Sequence, residues 1–236
     1  LNGANLSGAI LSRTNLIKAN LIGADLSNAD LGNAKLMDSN LNNAKLINAD
    51  LINADLSNAN LSRANLNGSS LIDADLSRVN FDSASLQGTE LINAKLSRAI
   101  FRRSMLFNAD FIDANLSDAD FSNAKVYYAN FRNANLSGVN LSNADLRNSD
   151  FSDANLSGAN LKNTNLSGAT NLNNTNFYKT NLSDANLSCW DELLNGKHIC
   201  PNFRGAKNLT AEQVKSAKNW QQAIYDEEFR KKLGLK

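Results

Sequence analysis

The chain has 236 residues, a formal net charge of +1, 42% hydrophobic and 7% aromatic residues, one Pro, two Cys and one His. That charge balance announces neither an acidic nor a basic partner, and no stretch reaches the ~18 apolar residues of a membrane span. One His and two Cys supply too few ligands for a closed zinc site.

From the first residue, a large apolar side chain returns every five positions. Each fifth residue from Leu1 to Leu166 is Leu, Phe or Val, most plainly in LINADLSNANLSRAN, Leu51 to Asn65. A small residue, usually Ala, stands two positions before it, with Asn or Asp usually between. A period of five excludes an α-helix, where each step of about 100° would spread the Leu residues around all sides. It equally excludes a flat strand, whose sides alternate with a period of two. A chain that turns a corner every five residues does bury the set. The expectation is that small residues fit near the corners and large ones fill the middle of each side.

This grammar resembles the signature A(D/N)LXX of the pentapeptide-repeat family, over residues 1 to about 187. The resemblance implies an all-β fold, a right-handed quadrilateral β-helix with four pentapeptides per coil, here about nine coils. A spacing of twenty is also legible in the residues. Phe81, Phe101 and Phe121 fall in one column, Phe111, Phe131 and Phe151 in another, and Asn20, Asn40, Asn60 and Asn80 in a third. Like-on-like ladders of Asn and of aromatic rings stabilise stacked strands. At roughly 4.8 Å per coil, nine coils make a rod about 45 Å long, held together by neighbouring coils rather than by a deep core.

The chain opens at Leu1 without Met and already in register, so upstream residues are expected to have been cleaved or left off. The first coil presents an open edge, which upstream residues or self-association would cover. Along the rod, Asp30, Asp50, Glu90 and Asp110 share an outward column, extended by Asp150. Beside it stand Ile52, Ile72, Ile92 and Ile112. This strip reads either as a solvated acidic column next to Ile of high β propensity, or as an apolar strip edged by carboxylates that binds a protein partner. Phe107, Tyr127 and Tyr128 form a smaller candidate on the adjoining side. Arg102 and Arg103 make a local basic spot that reads as solvated.

After Leu166 the period slips by one to Leu172, which reads as a bulge at a corner. Phe177, Leu182 and Leu187 then resume it. Residues 188–205 are an excursion and a last partial coil, containing Cys189, Cys200 and the one His, His198. A Cys189–Cys200 disulfide closing a small loop would stabilise by roughly 3 kcal/mol and point to an oxidising compartment. The alternative is two free thiols. Residues 206–236 change period. Thr210 and Gln213 form a capping box, Leu209 can staple onto Val214, and Val214, Ala217, Trp220 and Ile224 follow helical spacing. A second helical piece is expected over Asp226 to Leu233. The resemblance implies that this α-helical tail caps the rod. Its net charge of +3, diluted by Glu212, Asp226, Glu227 and Glu228, argues against a nucleic-acid partner.

Catalysis needs converging titratable groups in a pocket, and nothing in the repeat grammar supplies them, so the chain is read as no enzyme, without cofactor or metal. Its expected role is a scaffold for a protein partner. The alternative, carried by the family, is a DNA mimic acting on a type II topoisomerase such as gyrase. The cysteines tilt localisation toward thylakoid lumen or periplasm, against a cytoplasmic alternative.

Overall fold

A computed structural model describes residues 1–168, 170–191 and 198–235. The middle of the excursion, 192–197, lies outside the described residues. Up to Asn165 the chain makes one identical turn per pentapeptide, and parallel bridges join residues twenty apart, from Asn5 with Asp25 to Asp145 with Asn165. Each coil therefore carries four turns.

The reason the grammar works is a complete assignment of backbone donors, visible in Leu56–Asn60. Leu56 N–H donates to the Asp75 carbonyl of the next coil (2.8 Å), and Asn58 N–H to that of Ser77 (2.9 Å). Ala59 N–H closes the turn on the Leu56 carbonyl, and Asn60 N–H reaches back to Ser39 (both 2.9 Å). One amide has no backbone partner, that of Ser57, and the Asp55 carboxylate accepts it at 3.0 Å. All five donors are thus satisfied, as buried backbone requires. Asn or Asp before the Leu is there for this bond. The third turn residue is left-handed throughout: every fifth residue from Gly3 to Gly168 has φ between 54° and 81°. Gly, Asn and Asp tolerate this region best, which accounts for their frequency at that place.

This geometry corrects one expectation. The middle of each side is the outward Asn or Asp; Leu and Ala both point inward at the two ends of the run, next to the turns. From Leu21 onward nearly all of them are fully buried. The two Phe columns stack at 4.4–5.0 Å within a column and meet edge to face at 6.0–6.2 Å across the core. Where Thr replaces Ala, its hydroxyl returns to a backbone carbonyl, as Thr175 to Phe151 and Thr180 to Leu156 (both 2.6 Å). The single-residue slip shifts the bridges to a spacing of twenty-one, Asp150 with Asn171.

At the C-terminal end, β1 (Trp190–Asp191) pairs with β2 (His198–Ile199), and Cys189 is bonded to Cys200. The Cys189 amide donates to the Gln222 side chain at 3.0 Å, tying this hairpin to the tail. Helix α1 (Ala211–Lys215) starts at the Thr210–Gln213 capping box. It stops well short of Ile224, because Lys218 bridges to Asn186 and Ile224 to Asn202. Pairing with the open coil edge overrides the helical spacing. Only a 3-10 turn, Trp220–Gln222, remains before α2 (Glu227–Leu233). The Gln213 amide group donates to the Phe177 and Thr180 carbonyls (2.9 Å each). A ring series, Phe177–Phe203–Tyr225–Phe229, continues the core into the tail. Burial pushes the Tyr225 phenol pKa up.

Candidate interaction face

Successive turns separate four outward columns, one per side. The side carrying the Asp30 column runs between two corners. One corner holds residues such as Phe107 and Asn108; the next holds Ile112 and Asp113. Asp50 and Glu90 are exposed, while Asp30, Asp110 and Asp150 are half-buried. The carboxylates of Asp30, Asp50, Asp110 and Asp150 accept the amide two residues on, at 2.9–3.1 Å. For Asp50 and Asp110 that amide belongs to Ile52 and Ile112. Their position in the column is thus structural, although Asn would serve the bond equally well. Their charge is unexplained by the fold.

Ile52, Ile72, Ile92 and Ile112 stack at the corner and are half-buried against one another rather than fully exposed. Asp73, Asp113 and Asp153 occupy the left-handed position of the same corner. None of the eight carboxylates Asp30, Asp50, Asp73, Glu90, Asp110, Asp113, Asp150 and Asp153 is in an ion pair among the described residues. Up to residue 168 the cations at the borders are Arg13, Arg132 and Arg147, and Arg147 is held by Asp145 at 2.7 and 2.8 Å. That pairing raises the Arg147 pKa further. The near-neutral total of the rod therefore averages over a strongly acidic side.

The opposite side is differently charged. Arg102 binds Asp120 and Arg103 binds Asp82, at 2.7 and 2.6 Å, so this basic spot is paired rather than simply solvated. Burial opposes the Asp120 charge, but the Ser122 amide and hydroxyl together with Arg102 outweigh it and hold its pKa below the usual carboxylate range.

The corner at Phe107 departs from the repeat grammar. Phe107, Tyr127 and Tyr128 form one cluster with ring centroids 5.3–6.2 Å apart, and Arg147 lies 5.8 Å from the Tyr127 ring. Tyr128 is 49% and Met105 42% exposed. Tyr128 takes φ 61°, a conformation that costs a bulky residue energy. Met105 and Lys125 stand where Asn or Asp would accept the Phe107 and Tyr127 amides, and neither is an adequate acceptor. The coil-to-coil bond from Asn108 N–H to the Tyr127 carbonyl is long, 3.4 Å. The sequence puts these aromatics on the side adjoining the acidic strip, and the register of the coils makes them that strip's other border.

No group of three His, Cys, Asp or Glu is placed to hold a metal among the described residues, and no helix there is long and apolar enough to cross a membrane.

Two profiles match the chain: "Pentapeptide repeats", over residues 1–38, 114–153, 129–168 and 149–188, and "Pentapeptide repeat region", over 34–111. No curated protein sequence is significantly similar. Among solved structures, HetL from Nostoc, a protein involved in heterocyst differentiation regulation, is 29% identical, covers 83% of this chain and 92% of its own, with TM-score 0.48. AT2G44920 from the Arabidopsis thaliana thylakoid lumen is 39% identical over 40% of this chain and 65% of its own, with TM-score 0.39. QnrB1, a plasmid-mediated fluoroquinolone resistance protein, is 18% identical, covers 85% and 95%, with TM-score 0.54, and so shares the fold, a right-handed β-helix. The chain belongs to the pentapeptide-repeat family.

Proposed function

We propose that the protein is a non-enzymatic scaffold that binds a protein partner through the side carrying Ile52, Ile72, Ile92 and Ile112 with Asp30, Asp50, Glu90 and Asp110. The observation that carries this reading is the run of carboxylates, in no ion pair among the described residues, beside a stacked apolar ladder. Asn would cap the same amides without concentrating charge, so the fold alone does not account for them. Residues 1–187 are the quadrilateral rod, 188–205 the disulfide-bearing excursion and last partial coil, and 206–236 a helical cap over its end. The bonds from Gln213 to the last coil support that division. The disulfide supports a thylakoid-lumen or periplasmic location.

The test is affinity capture from native extract, comparing the wild type with Ile72→Ser/Ile92→Ser. Ser12 and Ser152 occupy the same column, so the fold should be kept, which circular dichroism checks. A partner held by the wild type and lost by the variant supports the face; identical captures sink it. The acidic side also keeps a second reading, mimicry of DNA toward gyrase. Undiminished gyrase supercoiling at low salt removes that reading.

A further inference from the structure

We infer that the aromatic corner formed by Met105, Phe107, Tyr127 and Tyr128 is a docking surface for a basic, extended protein segment whose apolar residues alternate with Lys or Arg. The inference rests on the scaffold reading and names the chemistry of its partner.

Three observations converge on it. First, this corner gives up hydrogen-bonding and backbone advantages, with ring contacts inside the cluster and Arg147 on the Tyr127 ring as the return. It places a ring in left-handed backbone, replaces two amide acceptors by Met105 and Lys125, and lengthens a coil-to-coil bond. Sites where local rules fail together are where function is expected. Second, the corner exposes Met105 and Tyr128, and aromatic and Met side chains are the enriched anchors of protein interfaces. Third, the side that borders it carries Glu90, Asp110 and Asp150 in one column with Asp113 at the far corner, in no ion pair among the described residues, and of the cations at the cluster itself, Lys125 and Arg147, the second is neutralised by Asp145. An acidic or neutral apolar segment would leave those charges uncompensated. A basic one pairs them and sets its cations on the ring faces, a favourable contact within about 6 Å.

Dimensions agree. From Asp50 to Asp150 is five coils, about 24 Å at roughly 4.8 Å each, the reach of about seven extended residues at 3.3 Å per residue. Alternation with a period of two lets such a segment direct one set of side chains to the corner and the other to the carboxylates.

The experiment measures fluorescence anisotropy with a labelled peptide of alternating Lys and Leu, about eight residues long, and its Glu–Leu counterpart, against the full chain. One variant restores the repeat grammar at the corner: Met105→Asn/Phe107→Ser/Tyr127→Ser/Tyr128→Asn. A second removes charge: Glu90→Gln/Asp110→Asn/Asp113→Asn/Asp150→Asn. The Asn substitutions keep the amide acceptors, so this variant should fold as the wild type does. Asp55→Asn/Asp75→Asn, on a different side, is the control.

Both test variants should weaken Lys–Leu binding at least about tenfold, with the control within about twofold and the Glu–Leu peptide bound at least about tenfold more weakly. Undetectable Lys–Leu binding by the wild type, equal binding of the two peptides, or insensitivity to either test variant overturns the inference. Loss in Ile72→Ser/Ile92→Ser with no loss in the corner variant overturns the corner while leaving the scaffold reading intact. Concentration-dependent self-association abolished by the corner variant would assign the surface to a second copy of this chain, and overturn the basic-segment occupant.

Discussion

Replacing Phe121 by Ala should be among the most damaging single changes in the rod. Phe121 is fully buried, stacks on Phe101 at 4.4 Å and meets Phe111 and Phe131 edge to face at 6.0 and 6.2 Å. Truncating a buried Phe costs about 3–5 kcal/mol. Phe81 is equally buried but stacks only on Phe101, at 5.0 Å. Two further ring pairs at about 0.5–1.5 kcal/mol each place Phe121→Ala about 1–3 kcal/mol below Phe81→Ala. A solenoid couples each coil to its neighbours only, so a single global unfolding transition is the wrong readout. Amide hydrogen exchange resolved by peptide is the right one. Protection should fall most in the coils flanking residue 121, with the two ends of the rod retaining theirs. Equal losses in the two variants, to within about 0.5 kcal/mol, would refute the idea that ring stacking contributes beyond burial.

Other expectations follow from the turn and its caps. Asn53→Ala should cost about 1 kcal/mol and Asn53→Gly close to nothing, because φ is 58° there; amide hydrogen exchange of the peptides spanning residue 53 separates the two variants. Asp110→Asn should be neutral and Asp110→Ala should cost about 1 kcal/mol, since only the second leaves the Ile112 amide without its acceptor. Cys189→Ser/Cys200→Ser, or reduction, should speed proteolysis of the tail but not of the rod, because the bonded hairpin is anchored on Gln222. The Asp120 pKa is held below its unfolded value. Its contribution is therefore present above about pH 4 and lost as pH falls through the lower folded value. The stability gap between wild type and Asp120→Asn should shrink over that interval, and a constant gap would show that Arg102 and Ser122 do not favour the charge.

The period of five and the spacing of twenty were legible because burial acts directly on residue identity: Phe81, Phe101 and Phe121 must share a column if they share a core. What a hydrophobic pattern does not carry is hydrogen-bond assignment. Asp55 reads as an outward polar residue, and only the turn geometry shows its carboxylate on the Ser57 amide. Arg63 looks like an arbitrary charge, yet it occupies a left-handed position with φ 59°. The tail misled for a related reason. Val214, Ala217 and Ile224 follow helical spacing, but Lys218 and Ile224 are drawn into pairing with the coil edge. The Ile column reads in the sequence as outward, and the structure leaves Ile52, Ile72, Ile92 and Ile112 half-buried at a corner. Net charge concealed most about the candidate face, since cancellation between opposite sides erases a pattern that exists only once the coil is closed.

The bond between each Asx side chain and the amide two residues on has an evolutionary corollary. Asn and Asp offer that amide the same oxygen, so exchanging them rewrites the electrostatic surface while leaving the backbone's requirements untouched. In most folds a new charge pattern is filtered through its effect on folding. Here the two are separable, and the rod acts as a fixed lattice whose outward sites can be switched one by one. Relatives could diverge toward very different binding preferences through single-codon changes, and could do so without passing through unstable intermediates.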